Sequence, residues 1–365
     1  MVRMFGRESV WAYARAGRRS TLRRRVRIFS GIQPTGRKHL GNHIGAIRQY
    51  VEGQDRAAAA GDVAIYCIVD LHATTVSYEP ALLRERLYDT AAILLAAGLD
   101  PERCILFRQG DVHEHTELCW LLCSVTALGE LRRMHQFRDK SLAQRDLVSA
   151  GLLFYPVLQA ADVLAYRTDE VPVGEDQREH LELTREIARR FNARFGVGEE
   201  LLVVPEHRIP QIGARIMDLQ DPTRKMSTTG GGEEGTVYVL DEPKVIEKKL
   251  RRAVTDSADP PQIRRGEDKP GVTNLIDLLA ACSGRTPQEV EKSMASARGY
   301  GDLKAATAEA VIAELAPIRE RYAELRPDEA ALEAMLARGA EQARAIASAT
   351  LADVRAAMAV GPAGG

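Results

Sequence analysis

No apolar run in the 365 residues approaches the roughly 20 that a membrane-spanning helix needs, so nothing in the sequence asks for a bilayer. Charge of one sign is lacking too: 50 Lys and Arg face 51 Asp and Glu, a formal net charge of -1. A global basic field that would announce a nucleic-acid partner is therefore missing, and local patches must carry any such contact. Cysteine is scarce: Cys67, Cys104, Cys119, Cys123 and Cys282 are scattered and odd in number. That usage suits a reducing compartment, and the cytoplasm is the expected location. Cys119 and Cys123 stand at helical i,i+4 spacing and could share a metal, but no His/Cys pair follows to complete a tetrahedral site. Their neighbours Leu118, Trp120, Leu121 and Leu122 favour buried thiols, and no metal site is expected. Two common phosphate loops are absent as well. No Gly-x-Gly-x-x-Gly follows the first strand, and no Gly-x-x-x-x-Gly-Lys-Ser/Thr occurs.

What is present is an ordinary globular composition, 45% hydrophobic and 28% charged, long enough for one large domain or two smaller ones. Residues 1–25 stand apart. Arg3, Arg7, Arg15, Arg18, Arg19, Arg23, Arg24 and Arg25 face a single acid, Glu8, and cannot build a core. A disordered tail is the first reading, with a targeting peptide, a basic arm for RNA or an early start codon as the others. Val26–Ser30, Val63–Val69 and Cys104–Phe107 read as buried strands. A helix from about Gly41 follows the first, with Ile44, Ile47 and Val51 on one face. Another spans about Pro80–Ala97, with Leu82, Leu83, Leu87, Ile93 and Leu94 inward. Residues 112–170 read as mostly helical, Val171–Val173 and Leu201–Val204 as short strands, and Gln177–Arg194 as an amphipathic helix. From about Val245 only helices are expected, as a separate bundle. The fold class is thus α/β: a Rossmann-like parallel-sheet catalytic domain (26–229) with a helical insertion, then an all-helical domain (230–365), hinged at Gly230-Gly231-Gly232.

Two separated loops carry the chemistry. Gly31-Ile32-Gln33-Pro34-Thr35-Gly36 runs into His39-Leu40-Gly41-Asn42 at the carboxyl end of the first strand, where open parallel sheets bind ligands. Glycines permit close backbone approach, and helix N-terminal amides offer donors to phosphate. His39 and Asn42 add side-chain donors. Alone, the loop could be an ordinary strand-to-helix turn. Far downstream, Lys225-Met226-Ser227-Thr228-Thr229 is a cationic, Gly-flanked loop suited to clamping the same phosphates. Between them lies Asp162, flanked by Ala160, Ala161, Val163 and Leu164, where an idle charge would be costly.

Residues 26 to the C-terminus resemble the bacterial tryptophanyl-tRNA synthetases, a class I aminoacyl-tRNA synthetase family. His39-Leu40-Gly41-Asn42 takes the place of that class's first signature tetrad, with Asn last as is usual in this family. Leu153-Phe154-Tyr155-Pro156 through Asp162, Val171–Gln177, Gly213-Ala214-Arg215-Ile216-Met217 and Ala253-Val254-Thr255-Asp256 agree in the same order. The resemblance implies a tryptophan–tRNA ligase that uses ATP, with Mg²⁺ carried on it, L-tryptophan and tRNA(Trp). It also implies a homodimer, for which the apolar helices around 115–130 are candidate interface material.

The resemblance implies roles by position. Gln33, Pro34, Thr35, Gly41 and Asn42 would touch ATP; Gly174, Glu175 and Asp176 would lie under its ribose and adenine, and Ile216 would meet adenine through its backbone. His39, Asn42, Lys225 and Lys140 would act in catalysis, the two lysines on pyrophosphate, with Met226, Ser227, Thr228 and Thr229 in the same ATP loop. Asp162 would accept the indole N–H. Tyr155 and Gln177 would hold the ammonium and carboxylate, with Gln33, Phe29, Gln159 and His72 also against tryptophan; a structural histidine is the other reading of His72. Lys248, Lys249, Arg251 and Arg252 are candidates for tRNA phosphates or for a solvated helix face. Thr228 and Thr229 depart from the family's Lys-Met-Ser-Lys-Ser, and Gln159 replaces a usual Met. These departures raise an auxiliary, analogue-tolerant copy of the enzyme. A tyrosine-specific relative and a non-enzymatic paralogue are the rival readings.

Overall fold

The structure is a computed structural model that describes residues 26–138, 148–172, 174, 177–196, 198, 200–208, 216–227, 232–257 and 260–361. Five strands, β1 (Ile28–Ile32), β2 (Ala64–Ile68), β3 (Cys104–Arg108), β4 (Glu170–Pro172) and β5 (Glu206–Arg208), form one parallel sheet in the order β3-β2-β1-β4-β5. The order reverses between β1 and β4, and a crevice beyond the carboxyl ends of two diverging strands is where such sheets hold ligands. Both faces of a parallel sheet are covered, which is why β2 is buried along its whole length.

The helices are α1 (40–60), α2 (Asp70–Ala73), α3 (Pro80–Ala96), α4 (Glu114–Leu122), α5 (Leu128–Arg133), α6 (Ala150–Leu164) and α7 (Arg178–Phe195). After the second loop come α8 (Pro243–Arg251), α9 (Pro270–Ser283), α10 (Pro287–Ser293), α11 (Tyr300–Leu325) and α12 (Glu329–Ala357). The period-2 alternation of strands sorts the core into two layers. Ile28, Tyr66, Ile68 and Leu106 meet α1, α3, α9, α11 and the first part of α12 on one face. Phe29, Ile65, Cys67 and Phe107 meet α4, α6, α7 and the second part of α12 on the other. The C-terminal region is all-helical as expected, but it does not stand apart from the sheet. A Cβ on Gly339 of α12 would lie 1.9 Å from the Leu106 carbonyl oxygen of β3, so only glycine lets helix and strand come this close.

Several boundaries differ from the sequence reading. β1 sits two positions later than Val26–Ser30, because its ladder opens at Ile28 opposite Ala64 and runs on through Ser30 and Gly31. Leu201–Val204 is not a strand. The Leu202 backbone is taken up by Asn192, whose side chain donates to its carbonyl at 2.7 Å and accepts from its amide at 2.9 Å. The fifth strand forms instead at Glu206–Arg208. Leu82 is 46% exposed rather than inward, because α3 meets the core only from Leu87 onward. Cys67 and Cys104 are buried, whereas Cys119, Cys123 and Cys282 are partly exposed.

Candidate functional site

The first loop leaves β1 at the reversal point. Gln33 and Thr35 are exposed there, joined by a 3.3 Å bond from Thr35 Oγ1 to Gln33 Oε1, while Pro34 is buried. Gly36 turns the chain at φ +67, a conformation that favours glycine. Lys38 reaches back beneath this turn. Its Nζ donates to the carbonyls of Gln33 at 2.8 Å and of Thr35 and Gly36 at 3.5 Å. Burial, and then the nearby Arg86 charge, lower its pKa to about 8. His39 caps α1 through a reciprocal pair: its Nδ1 accepts from the Asn42 amide at 3.2 Å, and Asn42 Oδ1 accepts from the His39 amide at 3.1 Å. Because Nδ1 is the acceptor, the proton of the neutral ring sits on Nε2. Burial, then the charges of Lys225 and Lys38, push the His39 pKa down to about 4. The ring is therefore a neutral N–H donor at ordinary pH.

The Lys225 that bears on His39 belongs to the second loop. Lys225 lies on a short antiparallel turn in which Met226 N donates to Ile216 O and Asp218 N to Arg224 O, both at 2.9 Å. Ile216 is 2% exposed, and its Cβ stands 3.6 Å from where a Cβ on Gly41 would be. Asn274 of α9 braces the turn, bonding the amide and carbonyl of Met217 at 3.0 Å each. Past the loop, Val237 O accepts from Leu40 N at 2.8 Å and Val239 N donates to Lys38 O at 2.9 Å. Met226 is buried, Ser227 half-buried and Lys225 exposed. The sheet reversal and this stitching bring Gln33, Thr35, His39, Gly41, Asn42, Ile216 and Lys225 to one neighbourhood.

The basic cluster at α8 reads differently in three dimensions. Lys249 is 3% exposed, and its Nζ is held by Thr236 O and Asp241 Oδ2, each at 2.8 Å. It braces the return from the lysine loop and offers nothing to a phosphate. Lys248 and Arg252 both pair with Glu234.

A second cluster surrounds Asp162 on α6. Its carboxylate is 1% exposed. Gln109 Nε2 donates to both oxygens at 2.8 Å, and His72 Nε2 lies 2.8 Å from Oδ2. His115 Nδ1 stands 3.1 Å from Oδ1 without the alignment of a hydrogen bond, while its Nε2 pairs with Tyr166 OH at 2.6 Å. Burial alone would raise the Asp162 pKa; His115 and His72 outweigh it and hold the carboxyl well below the usual range. Tyr155, one face of α6 with Gln159 and Asp162, contacts His180 Nε2 at 2.8 Å and packs edge-on to His72. Gln177 opens α7 just beyond β4, with its amide donating to Gly174 O at 2.9 Å. Phe29 is 3% exposed and stacks on Tyr166 at 5.3 Å.

The sequence reading missed Lys38, Gln109, His115, Tyr166 and His180. Gln109 had a positional signal, since it follows directly on β3. Lys140, Glu175, Asp176, Thr228, Thr229, and the stretches 1–25, 213–215 and 230–231, lie outside the described residues. Among the described residues no group of three or more His, Cys, Asp or Glu could hold a metal ion, and no helix is long and apolar enough to cross a membrane.

Comparison with known proteins returns one family. The model for "tRNA synthetases class I (W and Y)" matches residues 21–316. A curated tryptophan--tRNA ligase of Oceanobacillus iheyensis is 47% identical over 335 residues, 92% of this chain and 98% of that protein. Another, of Enterococcus faecalis, is 46% identical over 336 residues, with the same shares covered. The crystal structure of tryptophanyl-tRNA synthetase from Mycoplasma pneumoniae superposes with a TM-score of 0.82 at 35% identity, covering 92% of this chain and 98% of that one. The Campylobacter jejuni enzyme, solved with ADP and tryptophan, gives 0.74 at 32% identity, covering 90% and 98%.

Proposed function

The chain belongs to the class I tRNA synthetases for tryptophan and tyrosine, and we infer that it is the tryptophan-specific enzyme, joining L-tryptophan to tRNA(Trp) at the expense of ATP. The observation that carries the choice of amino acid is the Asp162 carboxylate. An ionised carboxylate has about four acceptor positions. Gln109 and His72 occupy three, one on Oδ1 and two on Oδ2. His115 Nδ1 faces Oδ1 at 3.1 Å, so an indole N–H would take over the position that His115 faces there. A side chain without that donor leaves the position unpaired, at a cost of about 1–3 kcal/mol.

Two steps follow. The tryptophan carboxylate attacks the α-phosphorus of ATP in line, forming tryptophanyl-adenylate and releasing pyrophosphate. The terminal ribose hydroxyl of the tRNA then takes the tryptophanyl group and releases AMP. No protein nucleophile is required, and catalysis rests on alignment and charge stabilisation. His39 donates from Nε2, the α1 amides and Asn42 line the phosphates, and the Lys225 cation opposes their charge. Gln33, Pro34, Thr35, Gly41, Gly174 and Ile216 frame the nucleotide, together with Glu175, Asp176, Met226, Ser227, Thr228 and Thr229. Lys140 supplies a second cation on pyrophosphate. Mg²⁺ arrives on ATP as part of the substrate. Tyr155, Gln159, Gln177 and His72 complete the amino-acid side.

The catalytic part is 26–229 and the tRNA is bound by the helices of 230–365. The protein works in the cytoplasm as a homodimer. Trp120, 77% exposed, with Leu128 and Phe154, 50% and 42% exposed, supports an interface on that side. Amino-acid-dependent ATP–pyrophosphate exchange tests the reading. Exchange is expected with tryptophan and not with tyrosine; exchange with tyrosine, or none, would refute it.

A further inference from the structure

Helix α1 begins irregularly. Leu40–Asn42 is followed by a wide turn, His43–Ile47, in which the Arg48 amide donates to the His43 carbonyl, five residues back. In an ordinary α-helix that carbonyl would take the amide of residue 47, and residues 43 and 48 would lie about 140° apart around the axis. The extra residue stacks Arg48 over His43 instead. Such wide turns are rare and recur at functional sites.

Both stacked side chains reach one carboxylate on α11. His43 Nε2 lies 2.6 Å from Glu314 Oε1; Arg48 Nε lies 3.1 Å and its Nη2 2.7 Å from the same oxygen. Arg48 Nη1 also donates to Ala281 O of α9 at 2.7 Å. His43 is 3% exposed, while the Glu314 and Arg48 side chains keep 22% and 28% of their surface, so the contact is partly buried. Burial works against the Glu314 charge, but His43 and Arg48 hold its pKa below the ordinary value. A regular helix would carry Arg48 away from His43, and Glu314 could no longer grip both. The wide turn begins at the residue after Asn42, so its winding sets the rotation of the segment that bears His39, Gly41 and Asn42.

We propose that Glu314 is a positioning residue for the ATP site: by holding His43 and Arg48 together it keeps the wide turn wound and ties the start of α1 to the C-terminal helices. The proposal rests on the reading of residues 33–42 as the nucleotide loop. It makes α11 the element through which those helices act on adenylate formation, although Glu314 touches no substrate.

The test is tryptophan-dependent ATP–pyrophosphate exchange by the full chain and its Glu314→Ala and Glu314→Gln variants, with melting temperatures alongside. A small misalignment of reacting groups is costly, so Glu314→Ala should lower kcat about tenfold or more and raise KM for ATP. KM for tryptophan should stay within about twofold. Glu314→Gln keeps an acceptor for His43 and Arg48 and should recover most of kcat. A purely structural residue would lower the melting temperature and leave the kcat of the folded enzyme unchanged, which would overturn the proposal. Should Glu314→Ala not fold, Arg48→Lys, which keeps the charge and loses the forked contact, carries the same expectation. An inactive parent chain would refute the functional reading itself; an active parent with unaffected variants would refute only the positioning role.

Discussion

Asp162 shows what a single residue can and cannot announce. Its apolar neighbours in sequence make an idle charge improbable, and that much is legible from a line of text. Its partners are not, because Gln109 and His72 lie 53 and 90 positions away and converge only when β2, β3 and α6 pack. Asp162→Asn keeps the shape and exchanges part of the acceptor set for a donor. KM for tryptophan should rise about tenfold or more while KM for ATP barely moves, read from exchange kinetics. Asp162→Ala should in addition cost about 3–5 kcal/mol of stability in urea unfolding, since His72 and Gln109 would lose a buried partner. The Asp162 pKa is depressed on folding, so its contribution is fully present above the ordinary carboxylate range and fades only as pH falls below it. His39 has the opposite charge type and the same direction of shift. The unfolded ring takes a proton near the ordinary value of 6.5, the folded ring only near 4. Native stability from this group therefore falls as pH drops through that window. Urea unfolding at pH 7 and pH 5 should show a parent-minus-variant difference that shrinks at pH 5 when His39→Asn is compared. A difference independent of pH would contradict the assigned state of the ring.

At the scale of elements, hydrophobic runs located the strands that are buried on both sides, and helical periodicity located α3 and α7 within a residue or two. Local pattern failed where tertiary bonds decide. Leu201–Val204 has the composition of a strand, yet the Asn192 side chain claims the backbone of Leu202 and keeps it out of the ladder. The wide turn in α1 has no local signature at all, because the carboxylate that holds it belongs to Glu314, 271 positions on. Gly339 is equally silent in sequence, one small residue in an Ala-rich helix. Gly339→Ala would force a methyl group against the Leu106 carbonyl and should destabilise by about 1–3 kcal/mol or more, visible as a lower melting temperature. The opposite result, the stabilisation usual for Gly→Ala in a helix, would mean that α12 and β3 are not in contact.

The described residues form one sheet with helices closing both faces, the last of them returning from the far end of the chain. The sequence alone shows the switch-point loop and the cationic loop as separate segments, and folding joins them: Ile216 packs at Gly41 and the Lys225 charge bears on His39. What the text of the sequence could not supply is that junction, along with the burial of Lys249, which turns an apparent phosphate contact into a brace. The central claim concerns the molecule entire, since both substrate sites and the helices proposed to meet the tRNA have to act together. Charging of tRNA(Trp) with labelled tryptophan by the purified full-length chain tests it most directly. The account predicts ATP-dependent formation of tryptophanyl-tRNA, with labelled tyrosine leaving the tRNA uncharged. No charging, or charging with tyrosine in place of tryptophan, would contradict it.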